Sequence, residues 1–413
     1  MREKNITSTP ASSVVFEAIE SFARVKVQEF LQRVLEEEVT ELLGRKKSER
    51  IATVDAEPGY RNGYGKPRKL AMMCGTIALR RPRVRGQEGK FLSRILPLFH
   101  RRSQEVSGLL PELYLHGLAQ GDFELALRGL LGEGAPLSAS SIQRLREKWV
   151  VDYEAWRNEP LEGTEVVYLW ADGIFVKAGL EDSKAALLVV VAGLRDGRKV
   201  ILAVESGYRE SKEAWGNLLR DLRRRGLTVP RLVIADGHLG IWAALGEVFP
   251  ESEEQRCWNH RIVNVLDQLP RKLQGQAKTL LCSIPYAQTR AEAERLRDRF
   301  VQRYGKAHVK AGETLRRDWE RMVTFYRFPK EHWKHLRTTN PVESPFSVVR
   351  LRTSAGKRYK RVENATALIW KILRVAESAF RRLDHPELLP EVAEGARYRD
   401  GIRVAKFKSE AAA

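Results

Sequence analysis

Three carboxylates, Asp172, Asp236 and Glu343, have the type and local setting of metal ligands. Asp172 and Asp236 each follow an apolar run and each precede a glycine, which predicts a short carboxylate at the end of a strand. Glu343 lies three residues after Asn340, at the predicted start of an arginine-rich helix that could face that end of the sheet. Such oxygen ligands suit two Mg²⁺ ions, or Mn²⁺ as a substitute, acting on a phosphodiester. In this interpretation Asp172 bridges both ions, Asp236 holds one, and Glu343 holds the other.

The elements that must position these acids begin near residue 160. An Asp-Gly pair at 196–197, flanked by apolar runs, predicts a hairpin turn. The predicted order is strand, strand, strand, helix, strand, helix, strand, which is the ribonuclease H topology with its first and fourth strands adjacent. We therefore expect a mixed α/β core that brings Asp172 and Asp236 together. The predicted elements lie at 166–171, 185–194, 199–206, 212–225, 231–235, 241–248 and 255–258.

Composition favours a polyanionic partner. The 413 residues include 72 Lys and Arg against 53 Asp and Glu, giving a formal net charge of +19. An excess of this size is typical of nucleic-acid-binding proteins, and a solvated basic surface is the alternative. Three cysteines without paired spacing indicate a reducing compartment, and no apolar stretch has the length of a membrane span or a signal core. We expect a soluble, cytoplasmic protein without a membrane partner.

The N-terminal half predicts a DNA-binding region. Apolar residues at helical spacing predict an amphipathic helix over 14–43, followed by a polar loop over 45–69. A short strand or hairpin near 76–84 and three helices at 106–116, 122–131 and 140–156 come next. These short helices are compatible with a helix-turn-helix module, although small helical bundles with basic faces are common. The candidate DNA contacts here are Arg80, Arg81, Arg83, Arg85, Arg144, Arg146 and Lys148.

Residues after His260 predict a helical block, inserted between the sheet and the helix that bears Glu343. Trp319 and Trp333 in this block are interpreted as core residues, with stacking on an extruded base as the alternative. The final helices are strongly basic, which favours contact with DNA phosphates over a solvated basic face. The candidate contacts on these helices are Arg350, Arg352, Lys357 and Arg358.

Cys257 and His260 form a Cys-x-x-His pair directly after the last predicted strand. Zinc is one interpretation, with His238 and Cys282 as further ligands, but two ligands without a second pair nearby make a poor zinc site. A packing or hydrogen-bonding role is the preferred interpretation.

Several motifs resemble the bacterial insertion-sequence transposases related to the eukaryotic Mutator elements. The resemblance covers roughly residues 14 to 385. The motifs are GYRNGY at 59–64, YLWADG at 168–173, ADGH at 235–238, RCWNH at 256–260, TTNPVES at 338–344 and VRLRT at 349–353.

This resemblance implies a DDE transposase with an RNase H-like catalytic core, an all-helical insertion and an N-terminal domain that binds terminal inverted repeats. The family triad falls on Asp172, Asp236 and Glu343, and its Cys-x-x-His signature on Cys257 and His260, with a structural or end-organising role. The implied reaction is Mg²⁺-dependent hydrolysis at transposon ends followed by strand transfer, through circular intermediates in this family. The implied partners are double-stranded DNA, as inverted repeats and target, and at least one further protomer. A bacterial, nucleoid-associated location follows.

Two other functions remain open: an RNase H-like nuclease that cuts without joining, and a catalytically silent, domesticated DNA-binding regulator. The intact acids count against the regulator, and the helical insertion and basic N-terminal half count against a simple nuclease. The predicted regions are a helical, candidate dimerisation region (1–58), a basic DNA-binding region (59–158), the two parts of the core (159–261 and 337–385), the insertion (262–336) and a polar C-terminal tail (386–413).

Overall fold

The structure, a computed structural model, divides into two compact units, residues 1–145 and 146–413. Within the part of the chain that it describes, no helix is both long and apolar enough to cross a membrane. The described residues are 11–50, 59–87, 89, 91–119, 122–137, 139–178, 184–207, 211–237, 239–356 and 359–404.

The first unit is built on a long helix, α1, which confirms the helix predicted over 14–43. The buried face of α1 packs through Leu35 against Ile77, Leu79 and Leu96. Helix α4 extends across the boundary into the second unit. The elements are α1 (Ala11–Leu43), β1 (Tyr60–Tyr64), β2 (Arg68–Met72), β3 (Gly75–Leu79), β4 (Pro82–Arg85), α2 (Gln104–Leu115), α3 (Phe123–Leu131) and α4 (Ala139–Arg157).

Strands β1 and β2 correct the polar loop predicted over 45–69. Strand β2 forms a hairpin with β3, and β1 pairs with β4, with Tyr60 opposite Arg85. The sequence of β1 has no alternation of apolar and polar residues, so its strand conformation depends on pairing with a segment about twenty residues further along. Local pattern could not reveal that partner.

The second unit contains a five-stranded mixed sheet with the strand order β7-β6-β5-β8-β9. Strands β5, β6 and β7 are antiparallel neighbours, whereas β8 runs parallel to β5 and β9 parallel to β8. The structure thus has the mixed α/β core that was expected, and Gly197 occupies the predicted hairpin turn with φ +83°. The elements are β5 (Val166–Lys177), β6 (Lys184–Leu194), β7 (Lys199–Gly207), α5 (Lys212–Arg224), β8 (Leu232–Ala235), α6 (Leu239–Val248) and β9 (Glu253–Arg256).

Strand β5 is longer than predicted. It continues through Asp172 and Gly173 to Lys177 because it remains paired with β6, where Asp172 lies opposite Val189. The Asp-Gly pair at 172–173 is therefore part of a strand and does not form a turn. Strand β8, in contrast, ends at Ala235, so Asp236 directly follows its strand as predicted.

One face of the sheet is buried against α5 and α6. Burying a large apolar side chain of this kind stabilises the fold by about 1.5–3 kcal/mol. Among the residues of this core are Leu169, Ala171, Val190, Trp215, Leu218, Leu222, Val233, Ile241, Trp242 and Leu245.

A helical block follows the sheet, as predicted. The helix that begins at Val309 ends before Asp318, whose φ of +58° is incompatible with a continuous helix. Its elements are α7 (Trp258–Leu266), α8 (Arg271–Ser283), α9 (Arg290–Phe300), α10 (Val309–Arg316), α11 (Trp319–Met322) and α12 (Trp333–Leu336).

The remaining helices return to the sheet and then continue into an ordered C-terminal segment. Helix α15 packs on β7. In the segment predicted as a polar tail, residues up to 404 include a short helix and a small hairpin, and Gly401 N donates to Tyr326 O at 3.1 Å. The elements are α13 (Asn340–Glu343), α14 (Phe346–Gly356), α15 (Val362–Glu377), α16 (Leu389–Ala393), β10 (Tyr398–Arg399) and β11 (Ile402–Arg403).

Candidate active site

Asp172 and Asp236 occupy equivalent positions on adjacent parallel strands. Ala171 of β5 pairs with Ala235 of β8, and each aspartate is the next residue along its strand. Both side chains are partly exposed, whereas the residues preceding them are buried. Strand pairing therefore brings together two acids that are 64 positions apart in the sequence.

The backbone after Asp236 turns sharply at Gly237, which has φ +92°. A Cβ at this glycine would lie 2.2 Å from Nε of Arg256. That same Nε donates to Asp236 O at 3.0 Å, and Nη1 of Arg256 forms an ion pair with Asp318 at 2.7 Å. A glycine is thus required where the chain leaves β8, and Arg256 holds the peptide of Asp236.

Glu343 ends the short helix α13, and its side chain is 28% exposed. The hydroxyl of Thr339, one turn earlier, donates to Oε1 of Glu343. Nδ1 of His260 lies 3.9 Å from the same oxygen. Val342 is completely buried, so the helix is anchored through its apolar side while Glu343 remains accessible.

Three hydrogen bonds bring the end of the helical block back to the sheet. The hydroxyl of Tyr168 bonds Nδ1 of His332 at 2.8 Å, and Trp170 Nε1 donates to His335 O at 2.8 Å. Both aromatic residues belong to β5, the strand that carries Asp172. The N–H of Trp258, at the start of α7, donates to Arg337 O at 2.9 Å. The segment before α13 is therefore fixed to β5 and to the end of β9. Glu343, 107 positions after Asp236, is thereby near enough to Asp172 for its charge to raise the pKa of that aspartate.

The three acids share one electrostatic environment. Burial raises the pKa of the Asp172 carboxyl to about 7. The negative charges of Glu343 and Asp236 raise it further, while the N–H of Gly173, which donates to Oδ1 at 2.8 Å, lowers it. Carboxylates that repel one another in this way are typical of sites that accept a cation.

His260 is the basic group beside the acids. Hydrogen bonding to the Cys257 thiol raises the pKa of His260 to about 9, and Asp236 and Asp172 add to that increase, while burial opposes it. Its imidazole in turn lowers the pKa of Asp172. A protonated imidazole next to the acids offsets part of their mutual repulsion.

The donor set formed by Asp172, Asp236 and Glu343 fits Mg²⁺ or Mn²⁺, since these cations prefer carboxylate oxygens and leave positions for phosphate and water. Burial is the largest cause of the elevated pKa of Asp172, and the charges of Glu343 and Asp236 add to it. A bound cation would favour the ionised form of this carboxyl. The three acids therefore match that cation in ligand type.

Cys257 and His260 lie beside this cluster. One ligand atom from each of Cys257, His260 and Glu343 falls within 4.8 Å of the others, which is a geometry that could hold a cation. Sγ of Cys257 is fully buried, accepts a hydrogen bond from Thr339 N at 3.4 Å, and lies 3.2 Å from Thr339 Oγ1. Cys282, considered as a further zinc ligand, does not belong to this group, and His238 lies outside the described residues.

The candidate DNA contacts differ in exposure. Arg80, Arg83, Arg85, Arg144, Lys148 and Arg350 are exposed, and Arg81 and Arg146 are half-buried. Arg352 is 3% exposed, so its guanidinium does not belong to a phosphate-binding surface, which corrects its assignment as a DNA contact. It follows Arg350 by two positions on α14, and this spacing turns it to the inner side of the helix. Lys357 and Arg358 lie outside the described residues.

Sequence reasoning missed other arginines of the first unit. Burial, and then the nearby positive charges of Arg101 and Arg81, lower the pKa of Arg68. Burial and the charge of Arg144 likewise lower the pKa of Arg102. These arginines add to the positive charge of the first unit, and the adjacent pair Arg101-Arg102 was visible in the sequence.

Trp319 and Trp333 are core residues, as preferred from sequence. They are 7% and 2% exposed, and Trp333 Nε1 donates to Phe328 O at 3.0 Å. Trp319 packs edge-on against Trp258 and contacts the guanidinium of Arg297. Neither indole face is open for base stacking.

Comparison with known proteins gives consistent matches over most of the chain. A family model described as "Transposase, Mutator family" matches residues 3–382. The transposase for insertion sequence element IS6120 of Mycolicibacterium smegmatis is 43% identical over 296 residues, covering 72% of this chain and 92% of that protein. The transposase for insertion sequence element IST2 of Acidithiobacillus ferrooxidans is 38% identical over 279 residues, covering 67% of this chain and 94% of that protein.

Among solved structures, the Drosophila P element transposase strand transfer complex contains a chain that aligns with a TM-score of 0.31 and 11% identity. The alignment covers 72% of this chain and 86% of that chain. A likeness of this degree supports no inference about the present chain.

Proposed function

Because this chain belongs to the Mutator family of transposases, we propose that it is a DDE transposase that cleaves and joins DNA at the ends of an insertion sequence. The observation that carries the proposal is the convergence of Asp172, Asp236 and Glu343 from two strands and a distant helix. Solvated surface acids are not expected to converge in this way, because their charges repel one another.

The sheet is proposed to be an RNase H-like core. The strand order β7-β6-β5-β8-β9, with β5 and β8 parallel, supports this assignment because it makes the first and fourth strands neighbours. The helical block between β9 and α13 then corresponds to the insertion between the second and third acid.

The three acids are proposed to hold Mg²⁺, with Mn²⁺ as a substitute, and bound cations of this kind stabilise charge on the attacking and leaving oxygens of a phosphodiester. The charges of both other acids raise the pKa of Asp172, which supports Asp172 as the candidate shared ligand. Asp236 is held by its rigid backbone turn. Glu343 has a longer side chain than the aspartates and extends toward them from helix α13.

The basic residues of the first unit are proposed to contact the terminal inverted repeats, and Arg350 on α14 to contact DNA near the cut. Arg83 and Arg85 are both exposed and lie two positions apart on β4, so they face the same side of the strand. Arginines in this arrangement suit successive phosphates. Joining two ends also requires at least two protomers, and α1 is the candidate interface.

The proposal is tested by a strand-transfer assay with the full-length protein, pre-cleaved ends carrying the element's own inverted repeats, a target duplex, and Mg²⁺. We expect joined products that depend on Mg²⁺ or Mn²⁺ and that disappear in EDTA. Cutting of uncleaved ends without joining would favour the nuclease, and binding of ends without any reaction would favour the regulator.

A further inference from the structure

The carboxylate of Glu343 has a buried neighbour that the catalytic role does not explain. We infer that Thr339 positions Glu343 through its hydroxyl, and that Cys257 fixes Thr339 in turn. This inference rests on the proposed function and adds a positioning residue to the site.

Thr339 is completely buried and makes contacts through every polar atom it has. Its hydroxyl donates to Oε1 of Glu343, and its N–H donates to Sγ of Cys257 at 3.4 Å. Its carbonyl accepts from the N–H groups of Val342 and Glu343 at 2.9 and 3.0 Å. Side-chain and backbone contacts thus both link Thr339 to the residue one turn later.

The hydroxyl of Thr339 has one proton and two neighbouring acceptors, Glu343 and the sulfur of Cys257 at 3.2 Å. A carboxylate is the stronger acceptor because its hydrogen bond is charge-assisted. The proton therefore goes to Glu343, and the lone pairs of Oγ1 are left to receive the weak S–H donor of the thiol. The sulfur is matched to this position, since a thiol can both accept from the N–H and donate to the hydroxyl.

Glu343 needs such a contact more than the aspartates do. Its side chain has more rotatable bonds, and fixing them costs conformational entropy. Asp172 is short, lies on a strand, and accepts from Gly173 N–H at 2.8 Å. The imidazole of His260 is 3.9 Å from Glu343, beyond hydrogen-bonding distance, so it attracts the carboxylate without orienting it.

Cys257 is itself fixed to the strand that precedes the second acid. Its N–H donates to Ala235 O at 2.8 Å, and its carbonyl accepts from Arg261 N at 3.1 Å. Ala235 directly precedes Asp236. A continuous series of hydrogen bonds therefore runs from the end of β8 through Cys257 and Thr339 to Glu343. This series fixes the position of Glu343 relative to Asp236. This gives the cysteine of the Cys-x-x-His pair a positioning role without a metal.

The test compares Thr339→Ser with Thr339→Ala, because these variants differ only in the hydroxyl and share whatever instability loss of the methyl causes. Thr366→Ala is the matched control. Thr366 is equally buried at 2%, and its hydroxyl bonds Val362 O within α15, away from the acids.

Two readouts are needed, both on the full-length protein. We expect Thr339→Ala to cut transposon ends at least tenfold more slowly at saturating DNA, with end affinity within twofold, and Thr339→Ser to remain within threefold of wild type. Mn²⁺ titration of the DNA-free protein by electron paramagnetic resonance should show several-fold weaker binding for Thr339→Ala only. Thr366→Ala should match wild type in both readouts.

Equal behaviour of Thr339→Ser and Thr339→Ala in both readouts would overturn the inference. Stoichiometric zinc in elemental analysis, lost on Cys257→Ala, would also overturn it, because the sulfur would then be a metal ligand. A different result contradicts the proposed function, namely that the wild-type protein neither cuts nor joins transposon ends. In that case the Mn²⁺ titration still decides whether Thr339 positions Glu343, since it does not depend on turnover.

Discussion

At the residue scale, the placement of Asp236 depends on a glycine. Gly237 has φ +92°, a conformation that side-chain-bearing residues rarely adopt, and the space for a Cβ is filled by Arg256. The same arginine holds the carbonyl of Asp236, so any displacement of its side chain also moves the second acid.

We therefore expect Gly237→Ala to lower the free energy of unfolding by about 2 kcal/mol, from backbone strain and displacement of Arg256. End cleavage should fall by a larger factor than end binding. Urea denaturation and a cleavage assay measure the two effects.

Gly246→Ala is the control, because Gly246 lies in α6 with no atom within 4 Å of an added Cβ. That substitution should be neutral or stabilise the protein by about 0.5–1 kcal/mol, as alanine favours helix. Equal stability of the Gly237 and Gly246 variants would contradict the account of the turn.

At the element scale, a buried charge cluster joins β9 to the helical block. Asp318 forms ion pairs with Arg256 at 2.7 Å and with Arg261 at 3.1 Å, and burial lowers the pKa of Arg261 to about 10. The side chains of these arginines are 10% and 2% exposed. Removing the one acid leaves buried cations without compensation, which is costly.

Asp318→Asn should therefore destabilise the protein by about 3 kcal/mol. Asparagine tolerates the left-handed backbone of this position, so the effect reports the lost charge. Asp298→Asn is the control: Asp298 is 47% exposed and pairs with Arg297 on the surface. Its loss should cost at most about 0.5 kcal/mol in the same denaturation experiment. If both variants lose the same free energy of unfolding, the ion pairs of Asp318 do not stabilise the contact between β9 and the helical block.

A second element-scale contact fixes the segment before α13 through neutral histidines. Nε2 of His335 accepts from Asp384 N–H at 3.1 Å, so this nitrogen is unprotonated in the fold. Burial lowers the pKa of His335 to about 4 from its ordinary 6.5. Because the unfolded chain takes up the proton first, the stabilisation is complete above pH 6.5 and is lost progressively as the pH falls toward 4.

Lowering the pH from 7.5 to 5 should therefore reduce the free energy of unfolding by about 2 kcal/mol through protonation of His335 in the unfolded chain. His335→Asn keeps an acceptor but does not titrate, so its stability should vary less over this range. His100→Asn, at an exposed histidine, is the control for the loss of an imidazole as such. An unaltered pH dependence in His335→Asn would contradict the assignment.

At the scale of the whole molecule, the two units divide the proposed work: the first contributes exposed arginines for DNA, and the second contains the acids. Arg83→Ala with Arg85→Ala should weaken end binding and reduce the slope of log affinity against log salt by up to about 1.8, for two lost phosphate contacts. Arg195→Ala with Arg198→Ala changes the charge equally but removes arginines already paired with acids. Fluorescence anisotropy at several salt concentrations measures the slope for each double variant. Equal slopes for the two double variants would exclude β4 from the proposed DNA interface.

Local pattern was sufficient to locate most strands and helices of the second unit, because elements buried on one face leave periodic apolar positions. It also singled out the three acids as candidate ligands, and that role stays a prediction. Features that depend on distant partners were not predictable in this way. Asp172 lies inside β5 because β6 pairs beyond it, and β1 is a strand because β4 covers it. Arg352 is buried although Arg350, two positions earlier, is exposed. Thr339 belongs to the TTNPVES motif, but its role depends on contacts with Cys257 and Glu343 that sequence does not reveal.

The most direct test of the central claim compares end cleavage and end binding for Asp172→Asn, Asp236→Asn and Glu343→Gln on the same DNA with Mg²⁺. If the three acids form one cation-dependent centre, each variant should lose about 10³-fold or more in cleavage, since the cation ligands act as a unit. End affinity should remain within about twofold of wild type, because phosphate contacts by other residues dominate binding. Cleavage retained within tenfold of wild type by any variant, or binding lost in step with cleavage, would contradict the account.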